Sequence, residues 1–362
     1  SSSSSSSKSS KSSKSRNNSS NNSNNNNNRN GNNTAEARKA AKGFKWFTGQ
    51  GADKLAPRSL SLLSDATLSL LVYIMWLAEH WERWPTQLMA VHIVLLAKPK
   101  GGWRPIALLQ AVYRVWSQVR GAQLRDWLLE HQRPYFALAA GKTTLDVASR
   151  ALLHAEAALA DAAGVVTAIV DIENWFDRIC WRRLVEAARQ HAFPRQLLAC
   201  ALAMYRAPRR LVWMQATSYA VVVDRGVLPG CKFAMAFVQL LMTTSMDDFT
   251  EHDKPRTSDV DLDFRFSLDI FADDLTLQVA CKLREIQQLS VETIKLLCET
   301  LLDLDLPVAK TKAMLTASDG VPSQSVARRL RKYGFQAQSW LEVMGLEVST
   351  GKAATSCVLR RR

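Results

Sequence analysis

Apolar residues at Leu62, Leu63, Leu68, Leu71, Val72, Met75 and Trp76 recur every three or four positions, which predicts a helix between Ser59 and His80, closed by Pro85. Val91 to Ala97 is a β-rich run. The basic, glycine-containing segment Lys98-Pro99-Lys100-Gly101-Gly102-Trp103-Arg104-Pro105 follows it, and together they read as strand, turn and strand. Helical periodicity returns over 109–130 and 144–163, the second ending near Gly164. Val165 to Ile172 is then a nearly continuous apolar run carrying an acid, the pattern of a central strand covered on both faces. Helix is expected over 181–206, strands over 211–223, and helix again over 232–246. Phe264, Phe266, Leu268 and Ile270, then Leu275, Leu277 and Val279, alternate around Asp273-Asp274 and predict a hairpin with two acids at its bend. Residues 283–303 read as helix, Leu306 to Leu315 as a strand, and Trp340 to Val348 as a short hairpin. Mixed elements without a fixed repeat give an α+β fold and argue against a solenoid or barrel.

Composition divides the chain. Residues 1–33 are almost wholly Ser and Asn and cannot bury enough apolar surface to offset ordering entropy, so they read as disordered, within a basic tail drawn through 43. Residues 1–50 hold nine basic side chains and one acid, leaving 38 basic against 32 acidic for the rest, so most of the net +14 sits in the tail. The tail lacks the apolar stretch of a signal peptide, and its first residue is Ser, which suggests a truncated chain, a partial reading frame or an added segment. The longest apolar stretches, Leu68 to Ala78 and Leu88 to Ala97, fall short of the ~20 residues that cross a bilayer. Cys180, Cys200, Cys231, Cys281, Cys298 and Cys357 form no CxxC pair, and the histidines complete no zinc pattern. The expectation is an intracellular protein of the cytoplasm or nucleus, not secreted, with buried free thiols, no structural zinc and no membrane partner.

Chemistry starts with the acids. If the strands carrying Asp171 and Asp273-Asp274 are neighbours, three carboxylates meet at one sheet edge, where repulsion is tolerable chiefly with divalent cations between them. Magnesium suits such oxygen ligands and completes its shell with substrate phosphates. Asp-Asp alone is weak evidence, since Asp247-Asp248 reads as the exposed end of a helix. Gly141-Lys142-Thr143-Thr144 is not a phosphate-binding loop, because Phe136 stands where its first glycine belongs. Thr143 or Thr144 reads instead as a helix cap.

In order along the chain, Leu96 to Ile106, Asp171-Ile172-Glu173-Asn174-Trp175-Phe176-Asp177, Arg225 to Cys231, Phe271-Ala272-Asp273-Asp274, Lys310-Thr311-Lys312 and Met344-Gly345-Leu346 resemble the motifs of reverse transcriptases, especially those of non-LTR retrotransposons and group II introns. The segment 141–147 approximates a further fingers motif. The resemblance implies the fingers and palm of a right-hand polymerase over 44–348, the palm being an antiparallel sheet backed by helices. It implies RNA-directed DNA polymerase activity, with an RNA template, a DNA or RNA primer and dNTP substrates, and two Mg²⁺ ions (or Mn²⁺). Asp171, Asp273, Asp274 and the Ile172 carbonyl would hold the metals. Phe176 would exclude a 2′-hydroxyl, Lys98, Lys100 and Arg104 would meet the incoming nucleotide, and Gly226 and Gly230 would permit close backbone approach to nucleotide or template. Lys310 would protonate the leaving pyrophosphate. Asp177 reads as a helix-cap or sheet-edge residue, and Arg206, Arg209, Arg210 and Arg360 to Arg362 as backbone contacts.

The sequence also departs from the family. Pro229 stands where Gln is usual, Cys231 where Ser is, and Phe271 where Tyr is commoner; an acidic insertion spans Asp259 to Asp263. Only 14 residues follow Val348, so the thumb is expected to be absent or truncated, with 349–362 a short basic tail. These departures keep open a second expectation, a catalytically inactive or domesticated remnant that binds RNA or protein. Oligomeric state has no signal in the sequence.

Overall fold

Alanines at 37, 40 and 41, spaced for one helical face, are buried in a helix over residues 33–42 (α1). The computed structural model describes residues 33–99, 101–138, 142–214, 216–252, 265–343 and 346–348. The tail drawn through 43 is therefore corrected over 33–42, where small alanine side chains let a polar segment pack closely. The disorder expected for 1–32, the acidic insertion, Lys100, Gly141, Met344-Gly345 and the tail from 349 lie outside the described residues.

A 3₁₀ turn, Pro57–Leu62, precedes α2 (Asp65–His80), whose first turn is capped by the Ser64 side chain accepting from the Thr67 amide. β1 (Val91–Ala97) and β2 (Trp103–Leu108) form the expected antiparallel hairpin. The helix expected over 109–130 is two, α3 (Ala111–Val119) and α4 (Gly121–Glu130), separated at Arg120. α5 (Thr144–Ala160) starts at a capping box, in which Thr143 accepts from the Asp146 amide and Asp146 accepts from the Thr143 amide, as the cap reading expected.

β3 (Gly164–Asp171) is buried along its whole length. It is followed by the single-turn α6 (Trp175–Arg178), then α7 (Trp181–Gln190) and α8 (Arg195–Tyr205), which Pro194 divides. β4 (Arg209–Trp213) runs parallel to β1 and pairs with β5 (Ala216–Thr217), giving a four-stranded sheet of order β2-β1-β4-β5. α9 (Ala234–His252) extends past Asp247-Asp248, which therefore do not end it. Asp247 accepts from Arg133 at 2.9 Å and from the Tyr135 hydroxyl at 2.6 Å, an anchor inside the fold rather than a solvated terminus.

β6 (Arg265–Phe271) and β7 (Asp274–Cys281) make the second hairpin. α10 (Ile286–Asp303), β8 (Met314–Ala317), α11 (Ser323–Arg329), β9 (Gln336–Ala337) and the hairpin of β10 (Leu341–Val343) with β11 (Leu346–Val348) complete the order. The strand expected from Leu306 is shorter, because 306–313 holds one bridge, Ile172 to Val308, and a turn at 310–312 in place of a ladder.

The larger sheet has order β6-β7-β3-β8-β9, antiparallel except for β8 with β9. On one face Val166, Ala168, Val170, Leu275, Leu277 and Val279 are fully buried, in a core shared with Ile294, Leu297 and Leu301 of α10. The opposite face carries buried polar groups under α5: Gln278 donates to the Ala151 carbonyl at 2.8 Å, and Asp269 pairs with Arg150 at 2.8 Å. This is the α+β arrangement expected, a largely antiparallel sheet backed by helices. Cys200, Cys231, Cys281 and Cys298 are buried and free, and no helix among the described residues is long and apolar enough to cross a membrane.

Candidate active site

Two strands bring the acids together. In the β3–β7 ladder Asp171 is the register partner of Asp274, and the Ile172 amide donates to the Asp273 carbonyl at 3.3 Å. Asp273 occupies the second position of a two-residue loop, Ala272-Asp273, between β6 and β7. Ala272 sits at φ 55°, the left-handed region that a hairpin loop of this length demands and that glycine fills more easily.

Asp171 is 5% exposed, Asp274 half-buried and Asp273 exposed, so the carboxylates run from the sheet interior to solvent. Burial, then the charges of Asp273 and Asp171, push the Asp274 carboxyl up to about 6, against a weaker downward pull from Lys312. Its proton is thus held more tightly in the folded chain than in the unfolded one. Between the ordinary carboxylate value and about 6 the folded state binds more protons, so this group's contribution to stability falls as pH rises through that window. Thermal melts without divalent ions are expected to show this decline between about pH 4 and 6, and Asp274→Asn is expected to flatten it; an unchanged slope in the variant rules the acid cluster out as its source.

Within Lys310-Thr311-Lys312 the expected role fell to Lys310, but Lys312 is the one that reaches the acids. Its ammonium forms an ion pair with Asp171, and that hydrogen bond is the main reason its own pKa is raised. Register explains the choice between lysines. Ile169 pairs with Met314, while Ile172 bridges Val308, so three positions along β3 face six along the other segment. The extra residues bulge at 309–313, carrying Lys310 into an exposed turn and bringing Lys312 beside Asp171.

The other expected residues sit around this centre. The Ile172 carbonyl accepts from no backbone donor among the described residues, since the Ala309 and Glu173 amides bond Asp171 and Pro307 instead. Phe176, in the turn of helix after β3, is half-exposed above the core. Asp177 is exposed within that turn and caps nothing; Asn174, at φ 51°, precedes it. Arg206 lies over the Trp181 ring at 5.7 Å, Arg209 donates to the Tyr205 carbonyl, and Arg210 is exposed.

Gly226 is placed differently from the expectation. A Cβ there would lie 3.1 Å from the Asp177 Cα and carbonyl and 3.2 Å from the Phe176 carbonyl. The Val227 amide donates to Phe176 and the Gly226 amide to Ile179, each at 2.8 Å. The close approach at φ +88° is thus to the chain's own Phe176 turn, which this glycine seats. Gly226→Ala is expected to cost about 1–3 kcal/mol, read as a lowered midpoint in denaturant; a variant as stable as the parent removes this role.

A Cβ added at Gly230 would lie 3.5 Å from the Ala107 carbonyl of β2, and the Pro229 carbonyl accepts from the Ala107 amide at 3.2 Å, joining the glycine-rich turn to the smaller sheet. Lys98 and Arg104 are exposed near the β1–β2 turn, whose Gly101 and Gly102 have open space around them. Trp103 beside this turn meets Trp213 of β4 edge-on at 4.4 Å. The contacts gather Asp171, Ile172, Asp273, Asp274 and Lys312; Lys98, Arg104 and Lys310 do not join them.

Among the described residues no three His, Cys, Asp or Glu side chains are already gathered as a metal cage. The donor set nevertheless suits a hard divalent cation: three carboxylates of which two are register partners, a free carbonyl, and one lysine supplying the compensating charge.

Two solved telomerase structures from Candida tropicalis are similar. One, apo and truncated from the C-terminal domain, matches 80% of this chain and 59% of its own at 13% identity and a TM-score of 0.49. The other, also apo, matches 73% and 47% at 12% identity and 0.48. This chain thus spans about half the length of either. No curated protein matches. The family described as reverse transcriptase (RNA-dependent DNA polymerase) matches residues 96–356, from the end of β1 through every acid of the site, and the chain belongs to that family.

Proposed function

We propose that this chain is the fingers-palm core of an RNA-directed DNA polymerase, from a retrotransposon, that adds deoxynucleotides to a primer 3′-hydroxyl on an RNA template. The observation that carries the reading is the register pairing of Asp171 with Asp274, which sets three acids of two distant motifs at one strand end. Asp171, Asp273, Asp274 and the Ile172 carbonyl would hold two Mg²⁺ ions, which when bound activate the hydroxyl and neutralise charge on the transferring phosphate.

The chain's own residues supply the rest. Arg104 offers a planar fork of donors to phosphate oxygens, and Lys98 a point charge beside it. Gly226 holds the Phe176 turn, and the Phe176 ring excludes a 2′-hydroxyl from the sugar position. Lys312, which pairs with Asp171, would protonate the departing pyrophosphate in place of Lys310, which has no contact with the acids.

The test is extension of a primed RNA template with dNTPs and Mg²⁺. Parent extension supports the reading. Retained RNA binding without extension supports the inactive remnant, a reading that Pro229 favours because it removes a side-chain and a backbone donor from the glycine-rich turn. Phe176→Val is expected to raise ribonucleotide use relative to deoxynucleotide use by roughly 10–100-fold, measured as the ratio of kcat/KM values; an unchanged ratio removes Phe176 from sugar selection.

A further inference from the structure

Residues before 96 lie outside the family match, and they build a surface that the acid site does not use. α1 and the start of α2 enclose an open cleft of about 700 Å³ lined by Arg38, Lys39, Lys42, Asp65 and Ser69. Arg38 is neutralised by Asp65 at 2.6 Å. Lys39 and Lys42 are exposed and have no carboxylate partner among the described residues, so the cleft keeps a net positive charge.

The stripe of α2 that supplies Asp65 and Ser69 to this cleft continues into aromatic rings. Asp65, Ser69, Tyr73, Trp76 and His80 follow one another at four- and three-residue steps, which puts them on one stripe of α2. Along it Tyr73 stacks on Trp76 at 5.6 Å and 18°, and Trp76 on His80 at 5.3 Å and 14°. Trp81 meets His80 edge-on at 5.1 Å and closes that end. Among the described residues no second ring stacks on Tyr73, which is therefore the end of the ladder nearer in the helix to Ser69, a residue of the cationic cleft. Tyr73 is 55% exposed and Trp76 51%, too much ring surface to be explained by core packing.

Basic groups beside an open aromatic face match a ligand that alternates negative charge with flat rings. We propose that α1 and α2 form a track for a single-stranded polynucleotide, in which one base stacks on Tyr73 as the next rung and the flanking phosphates meet Lys39 and Lys42. This goes beyond the proposed function and does not depend on it.

The test uses the full chain with chelator and no dNTPs, so an inactive polymerase leaves the readout intact. Binding of a labelled twelve-nucleotide RNA, and of DNA of the same sequence, is followed by anisotropy across a salt series. Tyr73→Ala with Trp76→Ala is expected to weaken single-strand binding at least fivefold with the salt slope kept, and Tyr73→Phe to restore it. Lys39→Glu with Lys42→Glu is expected to reduce the salt slope by about 1.4. Both sets are expected to leave binding of a primer-template duplex within about twofold. A loss for RNA and DNA alike, or for one alone, supports the track and names its strand. Single-strand binding equal to the parent's in the ring variant overturns it, as does a ring variant that changes only sedimentation, which would make the stripe an interface between copies.

Discussion

Asp171→Asn is expected to reduce primer extension by roughly 10³-fold or more, while the circular dichroism spectrum stays that of the parent. The substitution keeps the side chain's shape in a site only 5% exposed, so packing gives no reason for unfolding. It removes a charge that neighbouring groups are arranged around: Lys312 loses its partner, and Asp274 loses one of the like charges that raise its pKa. Loss of a carboxylate ligand removes several kcal/mol of transition-state charge stabilisation, which sets the size of the effect. A second readout separates chemistry from folding. Mn²⁺ is expected to raise the parent's melting temperature and to leave the variant's unmoved. Extension within tenfold of the parent would remove Asp171 from the metal site.

Gly334→Ala is expected to lower the melting temperature by roughly 6–12 °C, the equivalent of about 3 kcal/mol in a domain of this size. Gly334 ends the 3₁₀ turn Arg331–Tyr333 at φ +87°, and its added Cβ would lie 2.6 Å from the Lys310 Cβ and closer still to the Lys310 backbone. Neither the strained dihedral nor a backbone collision relaxes cheaply. Gly320→Ala is the control, since Gly320 has nearly the same φ, +84°, but meets only the Leu283 side chain, at 3.8 Å. It is expected to cost about 1 kcal/mol. Equal losses in the two variants would mean that dihedral strain alone acts at Gly334. The collision also matters for the site, because Lys310 begins the bulge that delivers Lys312 to Asp171.

Period-two alternation was enough to set Asp273-Asp274 at a hairpin bend and Asp171 at the end of a buried strand, because the β6–β7 loop is two residues long and β3 is buried on both faces; that β3 and β7 are neighbours stayed a condition until the structure paired them. The capped start of α5 was legible for a similarly local reason. Pieces defined by distant pairing were not. Nothing local joins β1 to β4, whose partners Val91 and Arg209 are far apart in sequence. α11 is seven residues long, too short for a periodic signal, and α1 hides its apolar face in alanines. Asp247 looked terminal because its partners, Arg133 and Tyr135, arrive from another segment. Lys310 and Lys312 are equivalent to any motif; only the bulge between two registers separates them.

The hydrogen bond from Ala107 to Pro229 has a mechanical consequence. It clamps the base of the β1–β2 lever to the glycine-rich turn, and that turn is itself fastened to the Phe176 segment through Val227 and Gly226. The two sheets therefore share a rigid chassis at this point, and a pivot located there would have to break buried backbone bonds. Compliance is left to the far end of the lever, where Gly101 and Gly102 have no neighbour within 4 Å of an added Cβ. Under the proposed function, closure over a nucleotide would be the bending of a short tip around its own glycines, with Lys98 and Arg104 moving and Ala107 standing still.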